Sequence, residues 1–519
     1  MNMTWLARAH PDCCWAHLTT TEFPAAASRP GAIAVLPVSG HADHGMGLPI
    51  NAEEAVLADL LAEACGDALA SCAPCILPPL RFGPSPHPAS TWFGINAVDG
   101  RDLVLELARG VRFAGFQKLL IFSSSPWHRE WLDAAARDAR VELGIVVYRV
   151  HLASLGLDFH PAAALAVRQE TQALAATLLG VVPVPSAPQR SSDEQFRPGN
   201  WHQPPPLQSG PVDAACVEAA GLTRRQAVAR LGRLLEEAAW HGHTKPALVA
   251  SLAASRPANA VAPLWRPFGN RYLGALTPEA LRTAAQRSGA VAILPTGAIE
   301  QHGPHLPVGV DAMIGQGLLA RALALLADEL PAYVAPPVTI GKSNEHADWT
   351  GTLTLTYRTF ARLVRTQIEQ LHQLGFRRIA LFNTHGGNSA VLVALIRELQ
   401  QMPGLRLGML QSAYKPDQNA QEAAYGFHAG EWETSIMLAL APGLVRRSLA
   451  VCHHPADINA PCELRPEGAA LNLAWSTRDL APEGVMGDAT VATPEKGELW
   501  AEGAARSLAE AVQLLAKAD

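Results

Sequence analysis

The chain is 519 residues long, carries a formal net charge of −6, and is 49% hydrophobic and 17% charged. That length and apolar fraction support two or three domains with sizeable cores, while the charge balance leaves no basic footprint for nucleic acid or an anionic membrane. No apolar run reaches the roughly 18 residues that would cross a bilayer, and the 8 cysteines lie at irregular spacing that makes no disulfide framework.

The first residues, MNMTWLARAHPDCCWAHLTT, lack the basic, apolar and small-residue order of a secretory signal, so the cytoplasm is the expected compartment. Residues 33–53, IAVLPVSGHADHGMGLPINAE, follow, and they are echoed by residues 291–311, VAILPTGAIEQHGPHLPVGVD. At an offset of 258, Pro37 meets Pro295, His44 meets His302, Gly45 meets Gly303 and Pro49 meets Pro307. Leu18-Thr19 matches Leu276-Thr277 at the same offset, and Gly83 and Ser85 match Gly341 and Ser343. Gly115-Phe116 before QKLLIF matches Gly375-Phe376 before RRIALF, and Glu170-Thr171 matches Glu433-Thr434. The drift of the offset to 263 is what small loop changes produce, so the chain is a tandem duplication. Between the echoes, Cys72-Ala-Pro-Cys75 has the C-x-x-C form, but without a partner pair and running into apolar ILPPL it is expected to be two buried thiols.

Residues 183–213 are rich in Pro, Ser and Gln and are expected to be an exposed loop or linker. The helical pattern at 214–239 resembles the last helix, 496–517, and closes the first repeat. The expected domains are therefore 1–240 and 270–519, joined by a linker at 241–269. Each half alternates strand-like runs (AVAILP, RRIALFN, LRLGML) with amphipathic helical stretches, which predicts an α/β fold with a mostly parallel sheet between helices. In such sheets sites form at the carboxyl ends of strands.

Three clusters fall at those places. Glu300 and His302 follow the strand VAILP two residues apart, on one face of an extended segment, and Asp311 stands where it can cap the next helix or bind metal. His385, in Asn383-Thr384-His385-Gly386-Gly387-Asn388, closes the strand IALF, with paired glycines that permit close backbone approach. His428, Glu431 and Glu433 lie in His428-Ala429-Gly430-Glu431-Trp432-Glu433-Thr434 at the start of a helical run. Together they offer the imidazole nitrogens and carboxylate oxygens that suit Zn²⁺, Mn²⁺ or Fe²⁺.

With these motifs the chain resembles the creatininase family of amidohydrolases. The matching pieces are L-P-x-G-x-x-E-Q-H-G-P-H-L-P-x-x-x-D at 294–311, G-x-S-x-E-H followed by G-T at 341–352, N-x-H-G-G-N at 383–388, H-A-G-x-x-E-T at 428–434 and GDATVATPEKG at 487–497. The strong resemblance covers roughly 270–517, and the N-terminal half is a diverged second copy. The resemblance implies two creatininase-like three-layer domains and a dinuclear centre of two divalent transition-metal ions in the second. It makes Glu300, His302, Asp311 and His385 ligands, with Asp311 the bridge. Relatives with an H-x-E motif take a further carboxylate from the position of Gly387, so here the fifth ligand is assigned to Glu433. His428 would handle the proton of the leaving nitrogen, with Glu431 as its neighbour or as a helix N-terminal charge. Ser343, Gly386 and Gly387 would position substrate, His305 would support its loop, and His453-His454 beside Asp457 are expected to face solvent.

The same positions in the first half are Ala42 for Glu300, His44 for His302, Glu53 for Asp311, Ser125 for His385 and Glu170 for Glu433, with His428 falling near Leu165. At most three of five keep a metal-competent side chain, with His41, Asp43 and His128 the nearest substitutes, so this half is expected to be a scaffold. The expected activity is hydrolysis of a small amide, cyclic amide, formamide or short peptide bond by a homo-oligomer. Creatinine is disfavoured because Ala424-Tyr425-Gly426-Phe427 lacks the tryptophan expected of creatinine-specific members. The rival readings are the same site acting on a ring carbonyl compound, and a non-catalytic binding protein.

Overall fold

The computed structural model describes residues 13–69, 71–84, 91–183, 214–245, 268–454, 464–465, 471–472 and 474–518. Most of the 183–213 loop and of the 241–269 linker, together with Asp457, lie outside the described residues.

In the first half β1 (Ala32–Val38), β2 (Ala73–Ile76), β3 (Lys118–Ser123) and β4 (Val146–His151) form a parallel sheet of order β2-β1-β3-β4. Helices α1 (Ala52–Ala68), α2 (Ala97–Phe113), α3 (Arg129–Leu143), α4 (Leu165–Leu179) and α5 (Ala214–Trp240) accompany it. The second half repeats the pattern with β5 (Val291–Thr296), β6 (Ala332–Val334), β7 (Arg378–Asn383) and β8 (Arg406–Leu410) in the order β6-β5-β7-β8. Its main helices are α6 (Val310–Ala324), α7 (Tyr357–Leu374), α8 (Ser389–Leu399), α9 (Glu431–Leu440) and α10 (Pro494–Lys517). Even the register agrees, since Ala34 faces Leu119 and its counterpart Ala292 faces Ile379. The tandem α/β architecture expected from the echo is therefore present. Among the described residues no helix is long and apolar enough to cross a membrane.

Local chemistry explains the elements. All six residues of β5 are buried, as a parallel strand covered on both faces requires. Helix α7 starts where Thr356 accepts the Thr359 N–H and ends at Gly375, whose φ of +118° suits glycine. Its buried residues Phe360, Leu363, Val364, Gln367, Ile368 and Leu371 recur at helical spacing on one face. Cys72 and Cys75 are buried free thiols, and burial pushes the Cys72 thiol up to about 12, which keeps it protonated and inert.

The two halves grip each other reciprocally. Val308 N–H donates to the Leu18 carbonyl (2.8 Å) and Gly309 N–H to Ala16 (3.1 Å). At the positions 258 earlier and later in the chain, Ile50 N–H donates to Leu276 (3.0 Å) and Asn51 N–H to Gly274 (3.0 Å). The halves are thus related by a local pseudo-two-fold, the isologous exchange typical of a symmetric dimer. Trp15 Nε1 adds a bond to the Gly351 carbonyl (2.9 Å), and Arg446 of the second half pairs with Glu22 of the first (2.9 Å). Gly351 has φ +92° and a Cβ there would lie 2.1 Å from Phe23 of the first half. Gly351→Ala should therefore cost about 2 kcal/mol, measured by urea unfolding, through backbone strain and a displaced aromatic ring.

Candidate metal centre

Thr296 at the end of β5 is paired with Asn383 at the end of β7, so the segments that leave these adjacent strands emerge side by side. The first carries Glu300 and His302, and the second carries His385. Asp311 enters on the first turn of α6, where Thr384 Oγ1 donates to its carbonyl (2.8 Å). Glu433 arrives on the first turn of α9, after a turn in which buried Ala429 takes φ +54°. That strained turn aims the Ala429 N–H at Glu433 Oε2 (2.5 Å).

His302 Nδ1 lies 3.1 Å from the Glu300 carbonyl, which only accepts, so Nδ1 carries the hydrogen and Nε2 presents a lone pair. That lone pair faces Asp311 Oδ1 at 3.5 Å, Glu433 Oε2 at 3.7 Å and Glu300 Oε1 at 4.0 Å. His385 repeats the arrangement with its nitrogens exchanged. Nε2 donates to the Lys342 carbonyl (3.0 Å), and Nδ1 faces Glu300 Oε2 at 3.1 Å and Asp311 Oδ2 at 3.5 Å. His302 Nε2 and Asp311 Oδ2 are buried without a hydrogen-bond partner. A ring nitrogen turned on buried carboxylates needs a proton or a metal cation between them.

The titration behaviour says the same. Burial disfavours an imidazolium, yet Glu433 and Asp311 hold His302 well above its ordinary pKa, and Glu300 does so for His385. Burial and the neighbouring Glu300 charge push Asp311 up to about 7. Glu300 is held well below the carboxylate range because His346, His385 and His302 outweigh its burial. The field calls for positive charge, and the residues fit a divalent metal. Among the described residues the groups able to hold an ion all lie here, and they draw on Glu300, His302, Asp311, Glu345, His346, His385, His428 and Glu433.

His428 Nε2 lies 2.9 Å from both the Gln301 carbonyl and the Gln301 side-chain nitrogen, and Nδ1 faces Glu300 Oε1 at 3.7 Å. Burial and nearby His302 lower it to about 4, which keeps it neutral. His428 stacks between His302 and His346, with ring centroids 4.4 Å away on each side.

Other assigned residues stand elsewhere. Glu431 does not join the cluster; it pairs with Lys496, and its N–H is held by Glu422 (2.7 Å). Ser343 is fully buried and its hydroxyl donates to Glu300 Oε2, so it braces that carboxylate. Gly386 is exposed at the cluster's edge. His305 supports its loop by bonding Thr434 Oγ1 (2.9 Å), as expected. His453 and His454 do not face solvent: they bond the Leu480 carbonyl (2.9 Å) and buried Glu422 (3.1 Å). Glu345 and His346, not among the residues expected above, also join the cluster, and the G-x-S-x-E-H motif in which both stand is the sequence signal that points to them.

In the first half the equivalent place is closed by hydrogen bonds. Glu53 accepts from His44 Nε2 (2.9 Å), the Gly40 N–H (2.7 Å) and Ser125 Oγ (3.3 Å). Burial raises the Glu53 pKa, but the His44 hydrogen bond and charge outweigh it and hold Glu53 below its ordinary value. Glu170 turns away to Thr223 (2.6 Å), His128 packs against Gly83, and His41 meets Phe93 edge-on. No trio of ligand atoms assembles among the described residues of this half.

The comparisons with known proteins agree with this geometry. The family model described as creatininase, creatinine amidohydrolase, matches residues 16–197 and again 275–512. The mycofactocin precursor peptide peptidase of Mycolicibacterium smegmatis is 32% identical over 40% of this chain and 77% of its own length. The creatinine amidohydrolase of Pseudomonas putida is 31% identical over 47% of this chain and 96% of its own. The 3-dehydro-scyllo-inosose hydrolase of Thermotoga maritima is 27% identical over 45% and 79%. Two matched segments, two matching sheets and one set of converging ligands lead to one conclusion: the chain belongs to the creatininase family, as a tandem pair of its domains, and is a metal-binding hydrolase of the amidohydrolase type.

Proposed function

We propose that the C-terminal half hydrolyses a C–N amide-type bond at a dinuclear centre, and that the N-terminal half is a non-catalytic scaffold. The observation that carries the reading is the pair of imidazole lone pairs, His302 Nε2 and His385 Nδ1, facing opposite oxygens of Asp311. One ion would be held by His302, Asp311 and Glu433 and the other by His385, Glu300 and Asp311, with Asp311 the bridge. Two divalent ions of Zn, Mn or Fe type would supply Lewis acidity there and would make a water nucleophilic near neutral pH.

The chain's own groups do the rest. Ser343 and the histidines fix Glu300, and the strained Ala429 turn fixes Glu433. His428 is neutral and its Nδ1 faces Glu300, which places it to relay a proton to the departing nitrogen. The substrate class is a small cyclic amide, formamide or short peptide, in keeping with the peptidase and amidohydrolase among the relatives. The inosose hydrolase relative favours a second reading, the same centre opening a ring carbonyl compound.

Elemental analysis of protein purified without chelators tests the centre. About two transition-metal ions per chain is the expected result, about four means both halves are loaded, and none even after adding Zn²⁺ or Mn²⁺ overturns it. Product analysis on a panel of amides and cyclic ketones separates the two bond types.

Uptake should also be proton-linked. Because Asp311 titrates at about 7 without metal, it is increasingly protonated below that pH, and its proton competes with the ion. Metal affinity should fall as pH drops from about 8 to about 6, and more than one proton should be released per chain loaded near neutral pH, because His302 and His385, held protonated by the carboxylates, give up theirs along with Asp311. Calorimetry in buffers of different ionisation enthalpy reads that number directly.

A further inference from the structure

Glu345 lies in the short turn Asn344–His346, on the loop that follows β6. Its backbone is pinned by Thr477, whose Oγ1 donates to the Glu345 carbonyl (2.9 Å), and its Oε2 is 3.9 Å from Lys342 Nζ. Its Oε1 lies 3.3 Å from His385 Nε2, on the side of the ring away from Asp311. The same nitrogen is 3.0 Å from the Lys342 carbonyl. Both neighbours of Nε2 are acceptors, so the ring's hydrogen resides there and Nδ1 keeps its lone pair toward Glu300 and Asp311.

Gly387 belongs to the same arrangement. A Cβ at 387 would lie 2.1 Å from Glu345 Oε1, 2.5 Å from His385 Nε2 and 2.7 Å from the Lys342 carbonyl. The Glu345 carboxylate occupies the volume that any side chain at 387 would need, so the two positions are sterically linked across 42 residues of chain.

We propose that Glu345 is a positioning residue: together with the Lys342 carbonyl it holds His385 in the Nε2–H form with Nδ1 aimed as a ligand, and Gly387 is glycine to leave it room. The inference deepens the dinuclear reading and rests on it. A carboxylate behind a ligating imidazole raises the basicity of the metal-facing nitrogen and fixes the ring's orientation, and losing such a partner weakens metal binding by about 10–100-fold.

The test uses the full chain as wild type, E345A and E345Q, with zinc affinities from chelator competition and ring-nitrogen NMR of ¹⁵N-histidine protein, His385 assigned with H385Q. E345A is expected to bind one zinc ion about 10–100-fold more weakly and leave the other unchanged. Its metal-free His385, read at alkaline pH where the ring is neutral, should show a mixture of tautomers. E345Q keeps an acceptor oxygen and should fall between E345A and wild type in both readouts. Wild-type affinity for both ions with an unchanged tautomer in E345A overturns the proposal. Complete loss of one ion in E345A and E345Q alike also overturns it, by making Glu345 a ligand itself. A wild type that takes up no zinc overturns the metal reading instead, and the tautomer of metal-free E345A still decides what Glu345 does.

Discussion

Asp311→Ala should empty both metal positions at once. The residue is 2% exposed, with Oδ1 3.5 Å from His302 Nε2 and Oδ2 3.5 Å from His385 Nδ1. No other carboxylate bridges the two histidines as closely on both sides. Glu300 reaches His385 at 3.1 Å but approaches His302 only to 4.0 Å. On the proposed dinuclear reading, removing Asp311 takes a ligand from each ion. Metal content should fall from about two ions per chain to near zero, and hydrolysis by at least on the order of 10³-fold, about 4 kcal/mol of barrier. His302→Ala should lose one ion outright and weaken the other. Circular dichroism must show both variants folded for the result to count. Retention of both ions by a folded Asp311→Ala protein would remove Asp311 from the centre.

Glu53→Ala, at the matching position of the first half, should do the opposite. Metal content should be unchanged while stability falls by about 3 kcal/mol, because a buried charge network loses its only acceptor for three donors. Gly40 N–H, His44 Nε2 and Ser125 Oγ all converge on that one carboxylate, which is fully buried. Glu53→Gln, which keeps one acceptor oxygen, should lose less. Urea unfolding measures the stability and elemental analysis the metal. Metal loss from Glu53→Ala or His44→Ala equal to that from Asp311→Ala would mean that the first half is loaded too.

Part of this is legible in the chain because three of the candidate ligands stand on segments that leave strands, where the fold leaves little choice about where a side chain can go. Glu300, His302 and His385 stand on such segments, whereas Asp311 and Glu433 open helices and follow from the motifs of the resemblance, and the structure brings all five to one cluster. What the sequence did not show is which atom of each group faces which neighbour. Ser343 stands in a motif, but only the packing of its loop against β5 reveals that its hydroxyl serves Glu300. Glu345 and Gly387 are linked by a contact between two loops that no linear spacing encodes. Glu431 sits two residues from Glu433 on a helix, so it points to a different face and finds Lys496. His454 was misplaced because its partner, buried Glu422, lies 32 residues earlier in the chain.

The reciprocal grip between Ala16 and Gly309, and between Gly274 and Asn51, has a consequence for what this molecule can become. Where two identical polypeptides meet about a two-fold axis, every substitution arrives in duplicate, so neither partner can trade chemistry for rigidity while the other keeps it. Joining the partners into one chain writes each position twice and lets the copies be altered separately. Asp311 and Glu53 record the outcome: one coding position became two, one keeping lone pairs open for an ion and the other filling them with protons. An inherited asymmetry of that kind is open to a fused pair and closed to a dimer of equals.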